Sequence, residues 1–162
     1  MGLDMIVIEK KSQKVQEVSD IVLEFFEFMA RESIRYCVLG DYKKIPFDID
    51  GDVDIAVSHS DFLNTPNLIK AFCDENNLFF TQIMQHEVTA IYACVVWFGA
   101  NGKVQSLRLD ICSDYMANGY TYIQYSDLLN KPEFHFVSKS AGFYRCSSAI
   151  NTQYYFLKKA IK

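Results

Sequence analysis

The chain has 162 residues, half of them hydrophobic and 15% aromatic, and a formal net charge of −4. That length and apolar content suit one domain with a full core, and exclude both a disordered chain and a multidomain machine. Sixteen Lys and Arg against twenty Asp and Glu argue against general nucleic-acid binding, and the longest apolar runs, such as 91–99, fall far short of the roughly 20 residues of a membrane helix.

In chain order, the N-terminus carries Asp4 where a secretory leader has a basic start and Ile6 where a myristoylation motif has Ser or Thr. Val18, Ile21, Val22, Phe25, Phe26 and Met29 recur at the spacing of one apolar helix face, which predicts a helix over 15–32. A short β-rich run, 35–40, stops at Gly40, and after a loop containing Pro46 comes a second strand at 52–58. Thr65 and Pro66 predict the cap and first position of a second helix that runs to Asn76. Strands follow at 78–85 and 88–98, and Asn101-Gly102 is a hairpin signal leading into a strand at 104–112. Beyond a Tyr-rich stretch (Tyr115, Tyr120, Tyr122, Tyr125), a capped turn at 126–130 precedes a strand at 134–137 and an amphipathic segment at 148–161. Five cysteines, an odd number without Cys-x-x-Cys spacing, read as reduced thiols of a cytoplasmic protein.

Five of the twelve aspartates fall within 41–54: Asp41, Asp48, Asp50, Asp52 and Asp54. Like charges this dense repel unless a cation or basic groups offset them. An EF-hand fails, because counting from Asp48 puts Val53 and His59 where that loop needs Gly and Glu. In a strand, Asp52 and Asp54 leave the same face about 7 Å apart. Over 106–112, Leu107, Leu109 and Ile111 alternate with Arg108, Asp110 and Cys112, so Asp110 points away from the core of a neighbouring strand. Three aspartates on two strands suit Mg²⁺ or Mn²⁺, which takes a few carboxylates together with water and substrate phosphates.

Val38-Leu39-Gly40-Asp41 followed by Gly51-Asp52-Val53-Asp54-Ile55-Ala56-Val57, with Asp110 as a third carboxylate, resembles the nucleotidyltransferase superfamily of the DNA polymerase β type over about 15–115. The likeness is greatest to small bacterial members, through Leu39, Tyr42, Ile45-Pro46 and Asp52-Val53-Asp54. It implies an α+β fold with a mixed or antiparallel sheet of about five strands and helices packed on one face. The chain would form a single nucleotidyltransferase-like domain over 1–162, with a C-terminal extension at 116–162. The resemblance further implies that Asp52 and Asp54 bind the metal holding a nucleoside triphosphate, that Asp110 completes the site and helps deprotonate an acceptor hydroxyl, and that the turn at Gly40 approaches the phosphates. Asp41 stands where the family has Gly or Ser, and a carboxylate there repels a triphosphate unless it faces away or also touches metal. Lys43, Lys44 and Arg108 would supply compensating charge.

The implied reaction is transfer of a nucleoside monophosphate from an NTP to a hydroxyl-bearing acceptor, small or sugar-related. The alternative is a catalytically degenerate binding or antitoxin-like module. With about 100 residues in the core, either the acceptor is small, or a homodimer or partner subunit completes the site, or the chain continues. His59, His86 and His135 lack zinc-ligand spacing and read as ordinary surface or loop histidines.

Overall fold

The computed structural model describes residues 17–99 and 102–161. Helix α1 (Val18–Arg31) buries the stripe that its periodicity marks, including Ile21, Val22, Phe25, Phe26 and Met29. Strands β1 (Tyr36–Val38) and β2 (Val53–Val57) follow, then α2 (His59–Asn76) and three long strands, β3 (Phe79–Glu87), β4 (Ala90–Phe98) and β5 (Val104–Cys112). A small hairpin of β6 (Tyr115–Ala117) and β7 (Tyr120–Ile123) leads to α3 (Tyr125–Leu128), β8 (Glu133–Phe136), β9 (Gly142–Arg145) and α4 (Ser148–Ile161).

The main sheet has seven strands in the order β3-β4-β5-β2-β1-β9-β8. It is mixed, with β2 parallel to β5 and β1 parallel to β9. This corrects the expected sheet of about five strands. The added strands come from the C-terminal extension: β8 lies where a strand is expected at 134–137, whereas β9, with four residues, is too short for alternation to stand out in sequence. They are joined to the sheet by the pairing of Val38 with Arg145 and by the Cys146 N–H, which donates to the Val38 carbonyl at 3.1 Å.

Helices cover both faces, which corrects the expectation of one. On the first face Val53, Ile55 and Val57 join Leu107, Leu109 and Ile111 under α1 and α2 in the main core, with Phe25, Phe26 and Phe72 fully buried. On the second face Cys37, Ala56 and Cys112 form a smaller core with Leu128 of α3 and Tyr154 of α4.

Helix α2 is capped seven residues before its expected cap at Thr65. Ser58 caps it, its hydroxyl accepting from the Asp61 N–H at 3.1 Å, and Pro66 lies inside. Thr65 is no cap: its hydroxyl donates back to the Asp61 carbonyl at 3.1 Å, as Thr does within helices. Of the predicted hairpin turn, Asn101 lies outside the described residues, whereas Gly102 adopts φ +71°, a conformation that favours glycine. All five cysteines are free thiols.

Candidate active site

The site is built where β1 ends. The Leu39 N–H donates to the Asp54 carbonyl at 2.9 Å, and the chain then turns at Gly40 with φ +76°. A Cβ at Gly40 would sit 3.3 Å from Asp54 Oδ2, so the absent side chain lets the turn pass beside that carboxylate. Asn151 of α4 clasps the turn: its Oδ1 accepts from the Gly40 N–H at 2.8 Å and its Nδ2 donates to the Gly40 carbonyl at 3.0 Å.

Asp54 and Asp110 stand at the same register on the parallel pair β2/β5. Each is flanked by residues of the main core, Val53 and Ile55 or Leu109 and Ile111, so strand alternation sends both carboxylates to the second face. Asp52 directly precedes β2 and lies on the same side, with its Oδ1 3.7 Å from Nε of Arg108.

Every one of these carboxylates has its own base. Lys158 Nζ is 2.7 Å from Asp54 Oδ2, His86 Nε2 is 3.0 Å from Asp110 Oδ1, and Arg108 serves Asp52 while donating to the Asp50 carbonyl at 3.0 Å. The Asp54 side chain is only 15% exposed. Burial holds its carboxyl above the usual range and the charge of Asp110 adds to that rise, while the charge and hydrogen bond of Lys158 and the hydroxyl of Tyr154 oppose it. Burial and the charge of Asp54 push the Tyr154 phenol up, so it stays a neutral donor.

Asp54 lies between two openings. A cleft of about 270 Å³ is lined by Gly40, Asp41, Lys44, Asp52, Asp54 and Lys158. A hollow of about 50 Å³ lies between Asp54, Asp110, His86 and Tyr154. Lys44 lines the first cleft, with its Nζ 3.7 Å from Asp50 Oδ2. Lys43 instead lines a separate cleft of about 360 Å³ beyond Gly40 and Asp41, with Arg145 and Ser148. Arg108 is engaged by the 50–52 segment rather than turned into the cleft.

Among the described residues no group of three or more His, Cys, Asp or Glu side chains is arranged to hold a metal ion. The donor chemistry still fits a hard cation of the magnesium type, which needs one or two protein carboxylates and completes its shell with water and phosphate. Asp54 with Asp52 or Asp110 would be those ligands, once released from the basic side chains that now engage them.

Three residues of this site, Asn151, Tyr154 and Lys158 of α4, went unread in the sequence, and His86, expected as an ordinary surface or loop histidine, lies on β3 with its Nε2 bonded to Asp110. The basic end of α4 is visible in the sequence, but nothing local ties it to a carboxylate 104 positions away. His59 likewise meets Asp114, at 3.0 Å, and lies tilted against the Tyr125 ring with 4.3 Å between ring centres.

The chain matches no protein-family model and no curated protein. Among the described residues no helix is long and apolar enough to cross a membrane.

Proposed function

We propose that the chain is a metal-dependent nucleotidyltransferase that transfers a nucleoside monophosphate from an NTP to a hydroxyl-bearing acceptor. The observation that carries this reading is the placement of Asp54 and Asp110 at one register of parallel neighbours, beside a side-chain-free turn at Gly40 and at the wall of a cleft. Asp52 and Asp54 would hold the cation, Mg²⁺ or Mn²⁺. When bound, such an ion neutralises the triphosphate and the charge developing on the leaving pyrophosphate.

The chain's own residues have separable tasks. Lys44 and Lys158 line the same cleft and present ammonium groups to the phosphates. Asp110 is held by His86 of β3, two strands away across β4, where it can accept the proton of the acceptor hydroxyl as the new oxygen–phosphorus bond forms and pyrophosphate departs. Asp41 is exposed at the cleft rim, where water screens its charge from a triphosphate.

The test is Mg²⁺-dependent NTP turnover by Asp52→Asn and Asp54→Asn variants whose circular dichroism matches wild type. Losing a ligand should exceed the roughly 10–100-fold cost of losing a ligand's outer partner. Full turnover in both variants overturns the reading.

A second reading has an observation of its own. Both backbone groups of Gly40 are already bonded to Asn151, and Asp54 is bonded to Lys158, an arrangement that suits a degenerate, non-catalytic binding module. Calorimetry separates the two, because such a module has no Mg²⁺-linked affinity for any NTP.

A further inference from the structure

Asn151, Tyr154 and Lys158 are spaced i, i+3 and i+7, so all three leave one face of α4 toward the site. The first two are fixed. Asn151 holds both backbone groups of Gly40, and Tyr154 is 3% exposed in the second core, edge-on to Tyr115 at 4.9 Å. The last turn has less to hold it, since Phe156 is 72% exposed, Lys159 is exposed and Leu157 is only partly buried. What brings this end of the helix to the sheet is Lys158, whose ammonium lies 2.7 Å from Asp54 Oδ2 and 5.3 Å from the Tyr154 ring centre.

A carboxylate as buried as Asp54 needs a positive partner, and an ammonium hydrogen-bonded to Oδ2 occupies the lone-pair direction that a metal ion would use. The two cannot share that oxygen at bonding distance. We propose that Lys158 is a built-in counter-ion of Asp54 that a divalent cation displaces, making the last turn of α4 a latch that reads whether the site is loaded. Once released, the ammonium remains on the wall of the same cleft, where the phosphates of a nucleotide are its natural new partner. This inference rests on the reading of Asp54 as a metal ligand.

The experiment titrates the full chain with Mn²⁺ alone, with no nucleotide, following free Mn²⁺ by electron paramagnetic resonance. Hydrogen–deuterium exchange over 155–161 is recorded in parallel. Lys158→Met, which removes the competitor, should bind Mn²⁺ roughly tenfold tighter or more, the change that one charge-assisted hydrogen bond commands. Lys158→Arg, which restores the charge, should bind like wild type. Exchange over 155–161 should rise when Mn²⁺ is added to wild type, and should already be high in Lys158→Met. If Mn²⁺ binds wild type and Lys158→Met equally, or the variant more weakly, the latch is overturned while the metal site stands. If Mn²⁺ binds none of the three proteins, the metal site falls and the latch falls with it.

Discussion

Asp54 concentrates the tensions of this fold in one side chain. It belongs to a strand whose other residues are buried, so its carboxylate is drawn out of water with them. Burial penalises the charged form, and the folded-state pKa therefore lies above that of the unfolded chain. The folded protein holds the proton more tightly. Asp54 thus favours folding fully below the ordinary carboxylate value near pH 4, and that contribution is lost as pH rises through the raised value. At neutral pH the ionised group is a cost that Lys158 offsets. Asp54→Asn, equal in shape but uncharged, should raise the thermal midpoint near pH 7 relative to wild type, and the gain should shrink as the pH approaches about 4. A lower midpoint at neutral pH would show that the Lys158 ion pair outweighs the desolvation of Asp54. The variant should gain stability and lose turnover together, as expected where a site is held charged for function. At this scale Asp52, Asp54 and Asp110 were legible because alternation assigns a face to each from its immediate neighbours. Their partners were not, because Lys158 and His86 are joined to them only by folding.

Among the elements, α1, β2, β4, β5 and α4 follow the sequence pattern closely, since each carries enough apolar residues at one period to fix its face. Helix α2 does not. Two capping signals compete there, Ser58 with Asp61 and Thr65 with Pro66, and the earlier one wins because it lets Phe62 join Ile69 and Phe72 in the main core. The consequence is a proline inside a helix, exposed to solvent, which deprives the Phe62 carbonyl of its usual helical donor. Pro66→Ala restores that donor and should stabilise the protein by about 1–2 kcal/mol, the interior proline penalty less the entropy that proline removes from the unfolded chain. A urea midpoint that rises with unchanged slope would register it. A fall would mean that the proline fits its helix without loss.

For the whole molecule, the second face of the sheet is where sequence reading reached least far. Residues 116–162 look like an appendage to a core ending near 115, yet they complete the sheet with β8 and β9 and return α4 to the turn at Gly40. Asn151 is the clasp between the ends of the chain, bonded across 111 positions. Asn151→Ala leaves the N–H of buried Gly40 without a partner and its carbonyl with the Tyr42 N–H alone, and should cost about 2 kcal/mol. Because the lost bonds hold the site's turn, NTP affinity should fall as well. Chemical denaturation read beside nucleotide calorimetry checks both, and a variant unchanged in both would show that α4 is not the clasp.

What the sequence by itself determined is what short range controls: the periods that make the helices and long strands, the glycine at the turn, and the alternation that sends three carboxylates away from the core. Only the tertiary structure decided the seven-stranded sheet, the second covered face, and the basic side chain that meets each carboxylate. Those features depend on contacts between segments up to 111 residues apart, whose closure is set by the packing of the whole chain and leaves no period or spacing in the local sequence.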